Sequence, residues 1–415
     1  MAGPSGSDFV RFTGHRFLAQ RLLLATLTGR PVHISSIRSS SPTNPGLAPH
    51  EVSLLRLFDA VTNGSAFQIS YTGTTITFHP GLITGTVAGA GATEDDVIEH
   101  KIPAGCTRGI SYFLLPMALL APFSKAHVNI RFSGPGVITS ATETGDISAD
   151  AFRLAILPLY GLFGIPPARI ELNIRQRSCA GHGDRRGNGV VELRFASQVR
   201  LPKTLHLHRG AGRIKRIGGV AYSVGVSASN NKRMIHAARG VLNALTGEIK
   251  IAEAPPSKDD GNGGGDKPGI GFGLCLVAES TVNGVVYSAD VVSPAQGGVL
   301  AEDLGTQCAH RLLEAIAQGG CVSWTAAPTV LTLMAMGSED VGRLRVSRDV
   351  VVAEEVMGLA RDLKAFGASS WGLRQAEDDV LGGGDSEDDE DAQSKHDVLI
   401  SIKGTGLGNV GRKVA

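Results

Sequence analysis

The feature that most constrains this chain is a recurring alternation of short strands and helices. A strand at 8–12 leads to a helix at about 17–28, a strand at 32–38 and a helix at about 50–62, and two strands, "FQISYT" and "TTITFHP", close the unit. Gly29 with Pro31 just beyond marks the end of the first helix, while Pro49 and Asn63-Gly64 bracket the second. The order is β-α-β-α-β-β. It recurs as "VIEHKI", a helix in "TRGISYFLLPMALLAPF" that is apolar nearly all round and therefore buried, "AHVNIRF", a helix over 148–163, and "RIELNIR" with "VVELRFA". A smaller third copy runs through a strand at 217–226, a helix at 230–246, a strand at 248–253 and the strands "GFGLCLVAES" and "VVYSADVV". The last region holds helices at about 301–317, 326–337 and 349–366, a strand near 342–346 and a final strand at 397–403. Repeats of this kind define an architecture even when identity between copies is low. The fold class is α/β (α+β), built on repeated βαβαββ units.

At 415 residues the chain has room for two or three domains. Aromatic residues are only 5% of it, which argues against broad base-stacking platforms. No apolar run reaches the roughly 18 residues of a membrane span, so no membrane partner is expected. The opening "MAGPSGSDFVRF" lacks the charged and apolar regions of a signal peptide. Five cysteines, an odd number with no CxxC, are expected to be buried reduced thiols of an intracellular protein, and no paired ligands at zinc spacing occur. The net charge of +1 hides an asymmetry. Glu377 to Asp391 carries nine acidic residues and no basic one, which leaves 40 basic against 30 acidic residues elsewhere. Two segments, 254–269 and 376–396, are too rich in Gly, Asp and Ser to bury much apolar surface and read as disordered. The acidic one is either a solvated insertion or a contact for a basic partner.

Several blocks, in order along the chain, carry a family resemblance: "RLLLATLTGRPVHISSIR", "NPGLAPHEVSLLRL", "TNGS", "YTGTTITFHPG", "KRIGGVAYSVGVS", "ARGVLN" and "GFGLCLVAES". Together they resemble the RNA 3′-terminal phosphate cyclase superfamily, and more narrowly its eukaryotic cyclase-like branch of small-subunit ribosome assembly. The resemblance spans roughly Phe9 to Gly408. It implies a large domain of three βαβαββ-type units at 1–196 and 293–415, with a smaller α/β insert domain at 197–292.

The resemblance also implies chemistry. Active cyclases use ATP to form a covalent adenylate on a histidine near the C-terminus, which must present a neutral imidazole nitrogen in a cleft. The segment "GSEDVGRLRVSRDVVVAEEVMGLARDLKAFG" contains no histidine, and after residue 300 only His310 and His396 occur. Active cyclases resemble "GEGGGQ" before the first helix. Here Gly14 and Gln20 flank the bulky "HRFLA", so the glycines that let a backbone approach a phosphate are missing. A second glycine-rich element is reduced to Gly187 and Gly189 in "RRGNGVVELRF". The turn at Gly14 therefore reads as the start of a helix, cyclase activity as lost, and no cofactor or metal is expected. "GTGLGNVG" at 404–411 fits GxGxxG but lacks the following helix and strand of a dinucleotide site.

Basic residues cluster in three places: Arg175, Arg177, Arg185 and Arg186; Lys203, Arg209, Arg213, Lys215 and Arg216; and Lys232, Arg233 and Arg239. They read either as ordinary solvated surface or as an RNA phosphate-contacting face. In "LARDLKAFG", Arg361, Asp362 and Lys364 are either the solvated side of an amphipathic helix or a cleavage group, with Asp as base and the cations on developing phosphorane charge. The resemblance implies a nucleolar, non-catalytic factor of the small-subunit processome that binds a ribosome-assembly GTPase and precursor rRNA. A precursor-rRNA endonuclease is the alternative, and an active cyclase the more remote one.

Overall fold

The computed structural model describes residues 9–86, 96–181, 187–196, 201, 203–255, 268–368, 371–376 and 397–406. The first unit runs β1 (Val10–Thr13), α1 (Leu18–Thr28), β2 (Val32–Ser35), α2 (Pro49–Val61), β3 (Thr62–Asn63), β4 (Ala66–Ile69), β5 (Ile76–His79) and β6 (Leu82–Ile83). Its sheet has the order β1-β2-β5-β4, and β3 pairs separately with β6. β1 and β2 are parallel because a helix carries the chain back between them, whereas the short turn between β4 and β5 makes them antiparallel. α1 ends at Gly29 in the left-handed region, and Pro49 occupies the first turn of α2, both as the punctuation predicts.

The second unit repeats this topology with β7 (Ile98–Lys101), α3 (Ser111–Leu120), β8 (Val128–Ser133), α4 (Ala149–Ala151), β9 (Ile170–Gln176) and β10 (Val190–Phe195) in the order β7-β8-β10-β9. Phe113, Leu114 and Met117 of α3 are wholly buried, as its all-round apolar character requires. The helix predicted over 148–163 is not uniform. α4 passes into a π segment at Phe152–Ile156 and a 3-10 segment at Leu157–Phe163. Pro158 has no N–H to donate into an α ladder, and the hydrogen-bond register changes around it.

The rest of the chain corrects one expectation. It runs β11 (His206–Leu207), β12 (Ile214–Val224), α5 (Ser229–Leu242), β13 (Ile249–Glu253), β14 (Gly271–Ser280), β15 (Val286–Val292), α6 (Ala301–Ala317), α7 (Ala327–Met336), β16 (Val341–Ser347), α8 (Arg348–Val352), α9 (Glu354–Ala365), β17 (Trp371–Gln375) and β18 (Asp397–Lys403). The final sheet has the order β11-β16-β18-β17, the same topology as the first two units. The third βαβαββ unit is therefore β11, α7, β16, α9, β17 and β18, so its first strand lies within the stretch 197–292 that the resemblance assigns wholly to the insert. The smaller copy at 217–292 forms a sheet of different order, β13-β12-β14-β15. Two short strands hid the true unit: β11 has two residues and pairs with a strand far along the chain, and β17 has four exposed residues out of five.

α6 lies along α5 and against β14 and β15. A Cβ at Gly305 would stand 2.3 Å from the Met234 carbonyl, so only glycine permits this approach of the two helices. We propose from these pairings that the inserted unit spans about 209–320, rather than 197–292, and interrupts the third repeat instead of preceding it. Its sheet also packs on the second unit: Cys275 and Val277 of β14 meet Ala151 and Ala155 in a small buried cluster. All five cysteines are buried and unpaired.

Candidate functional site

All three units meet at one cleft of about 540 Å³. Unit one lines it with the turn before α1 (His15 to Phe17), Arg38 after β2, and His50 and Glu51 at the start of α2. Unit two adds Arg108, Tyr112 and the Thr144–Asp146 loop, and unit three adds Trp324, Thr325 and Thr332. The cleft is rich in charge, but the charges are spent on one another. Arg38 makes two hydrogen bonds to Glu51 (2.6 and 2.8 Å), whose carboxylate also accepts from the Ala48 N–H (2.7 Å) and so caps α2. Arg108 grips Asp146 in the same bidentate way (2.5 and 2.7 Å), and Asp146 also accepts from the Gly109 N–H. The Arg108 guanidinium lies over the Tyr112 ring at 4.5 Å, and His50 meets that ring edge-on at 5.2 Å. Burial lowers the His50 pKa, helped by Arg108 and Arg38 and opposed by Glu51.

The turn at Gly14 answers the question of phosphate binding. Gly14 sits at φ +77°, but its N–H donates to the Ser35 carbonyl (2.8 Å) and belongs to the sheet. Phe17 takes a left-handed conformation and has no side-chain cap to offer α1. Its ring packs against Gly358 of α9, where a Cβ would stand 2.6 Å from the ring. The turn thus carries a bulky residue where an anion-binding turn needs glycine.

The predicted cleavage residues do not converge. Asp362 is 3% exposed and points at α1, accepting from Gln20 (2.8 Å) and Arg21 (3.3 Å). Burial raises its pKa, against the pull of Arg21 and Gln20. Arg361 and Lys364 are exposed on other faces of α9. Asp362 is thereby a tie between two helices.

The predicted RNA-binding residues divide as well. Arg177 is internal, paired with the fully buried Asp150 and set near the Tyr222 ring at 5.5 Å. Arg175 shares Glu192 with Arg131. Lys203 is exposed ahead of the insert; on the insert Arg209, Arg213, Lys215, Lys232 and Arg239 are exposed, while Arg216 pairs with Glu279 (2.7 Å) and Arg233 with Glu302 (2.6 Å) in the open. Arg185 and Arg186 lie outside the described residues, as does His396. Sequence reading missed His50, Arg38, Arg108 and Trp324. The only signal available was that "NPGLAPHE" and "TRGISY" place polar residues at the starts of helices. Among the described residues no group of three metal-ligating side chains occurs.

Three sheets of one topology, joined at a cleft and interrupted by an inserted α/β unit, define a class of cyclase-fold proteins. The family model for RNA 3′-terminal phosphate cyclase matches residues 10–366, and the chain belongs to that family. It is 35% identical to the rRNA processing protein RCL1 of Saccharomyces cerevisiae over 99% of both chains. It is 39% identical to the RNA 3′-terminal phosphate cyclase-like protein of Mus musculus over 86% of this chain and 87% of that one, and 35% identical to the rRNA processing protein rcl1 of Schizosaccharomyces pombe over 90% and 94%.

Proposed function

We propose that this protein is a non-catalytic factor of rRNA processing that acts in the nucleolus within the small-subunit processome, bound to a ribosome-assembly GTPase and to precursor rRNA. The observation that carries the reading is the state of the cleft. Its inner arginines, Arg38 and Arg108, are neutralised by Glu51 and Asp146, Arg16 at the mouth is paired with Glu354, and the bulky Phe17 stands in the turn where a phosphate site needs glycine. Such a cleft has little free positive charge for a triphosphate, and its aromatic wall suits a protein partner. The relatives named for rRNA processing support the same direction. The exposed basic residues of the insert supply the RNA-facing surface, through phosphate and shape rather than base contacts.

Two imidazoles, His15 and His50, line the cleft and make the catalytic question testable. Protein mixed with α-labelled ATP, Mg²⁺ or Mn²⁺ and an RNA with a 3′-phosphate is expected to acquire no covalent label, beside a working cyclase control. Label that disappears in His50→Ala would restore the enzyme reading. Co-purification with a ribosome-assembly GTPase tests the partner, and absence of any affinity would remove the scaffold role. The endonuclease reading gains nothing from the structure, because Asp362 faces inward.

A further inference from the structure

The third sheet ends on a strand with an open side. Among the described residues β17 pairs only with β18, and it lies at the end of the order. The Ala376 N–H donates to the Asp397 carbonyl (3.0 Å), so by the alternation of an antiparallel ladder Gly372 and Arg374 also face β18. The N–H and C=O groups of Leu373 and Gln375 then point outward, and among the described residues no strand takes them. Residues 372–375 are all exposed, which is unusual for a hydrogen-bonding edge left unguarded.

The edge borders a groove. α8 extends beside the sheet, and Val351 and Val352 of α8 line the groove with Leu373 of β17. Leu373 is 56% exposed and Val352 54%. Leu373 stands opposite Ile400 in register, so it continues the face of the sheet that carries the buried Ile400 and Ile402, but no described strand lies on its outer side. Two arginines, Arg348 and Arg374, also line the groove. Asp397, the one acidic residue there, is already held by Arg345 at 2.6 Å. Neither Arg348 nor Arg374 has an acidic partner among the described residues, so the described lining of the groove is positively charged.

We propose that β17 is a strand-addition site for an extended peptide segment of another protein, in which acidic and aliphatic residues alternate. Main-chain hydrogen bonds to Leu373 and Gln375 supply the pairing. Aliphatic side chains enter the Val351–Val352–Leu373 groove, and carboxylates reach Arg348 and Arg374. A nucleic-acid strand fits less well, because the groove is lined by aliphatic side chains and its outward donors alternate with outward acceptors. The site is separate from the cleft and does not depend on how the cleft is used.

The test uses the full chain and a fluorescent, end-capped octapeptide that alternates aspartate with leucine and valine. Binding is read by anisotropy and by hydrogen exchange. The expected result is saturable binding with slowed exchange confined to the 371–375 strand. Leu373→Glu and Arg374→Glu, both at exposed positions, are expected to weaken binding by about tenfold each, or about 1.4 kcal/mol. A lysine-for-aspartate peptide, and one N-methylated on alternate backbone nitrogens, are expected not to bind. No binding, equal binding of the N-methylated peptide, or unchanged affinity in both variants would overturn the proposal. A concentration-dependent dimer abolished by Leu373→Glu would give the edge to a second copy of this chain and would also overturn it.

Discussion

The cleft and the insert face both carry paired arginines, yet they hold their charges differently. In the cleft the Arg38 side chain is 18% exposed and its Glu51 partner is buried; on the insert Arg216 is 52% exposed and so is much of Glu279. A buried pair cannot release one member without leaving the other uncompensated, while an exposed pair is worth little and is easily exchanged for another anion. A polyanion therefore meets more usable charge on the insert than inside the cleft, where only Arg16 at the mouth is held in an open pair. What separates the two regions is burial, because both contain the same kinds of residue.

The contrast can be broken most sharply at Asp146. Asp146→Ala strips Arg108, the Gly109 N–H and two threonine hydroxyls of their acceptor, and is expected to cost about 3 kcal/mol in urea unfolding. A cost under about 1 kcal/mol would mean that the cleft pairs are as exchangeable as those of the insert. Asp362→Asn is expected to cost less, about 1–2 kcal/mol, because the tie from α9 to α1 weakens while the packing remains. Arg361→Ala, on an exposed face, should change stability by no more than about 0.5 kcal/mol. Cleavage of precursor rRNA lost in Asp362→Asn with unfolding unchanged would revive the endonuclease reading.

A smaller effect is expected at the joint between insert and body. Asp290 of β15 accepts from the Ser148 N–H at 2.6 Å, and its other oxygen is buried without a partner. Burial raises its pKa to about 7, with nearby Asp150 adding to the rise and Ser148 and Arg311 opposing it. A carboxyl raised in the folded state adds stability below its ordinary range, and that contribution is lost as pH rises through about 7. Asp290→Asn should therefore flatten the fall in melting temperature between about pH 4 and pH 7. An unchanged slope would place the titration elsewhere.

The smallest effect sharpens the insert side of the comparison. Glu279→Gln with Glu302→Gln frees Arg216 and Arg233, and should move stability by less than about 1 kcal/mol. RNA affinity should rise, and the log-log salt slope should steepen by about 1.4 if both arginines take a phosphate of a single strand. An unaltered slope would show that RNA does not lie on this face.

Much of the architecture was legible because it rests on local patterns. Gly29, Pro31 and Pro49 punctuate the first unit, and the apolar run around Phe113 announces a buried helix. What stayed hidden was long-range. β11 carries too few residues for any periodicity, and its partner Arg343 is remote from His206 in the chain. The same holds for the site. Arg177 reads as a surface charge until Asp150 is seen beneath it, and Asp362 reads as solvated until Gln20 and Arg21 arrive from the other end of the chain. Loss of the glycine turn was readable, since it is a matter of residue type. The neutralised cleft was not, since it is a matter of pairing.

The split third unit bears on how the molecule assembles. His206 pairs with Arg343, 137 positions later (343 − 206), whereas the first two sheets close over much shorter stretches. Closing so long a loop costs more chain entropy, and the cost falls once the intervening segment has already folded and brought its own ends together. The first two units are complete when the ribosome has emitted half of the chain, while the third must wait for both the insert and the C-terminal strands. A destabilised insert would then be felt as slow formation of a sheet to which it contributes no strand.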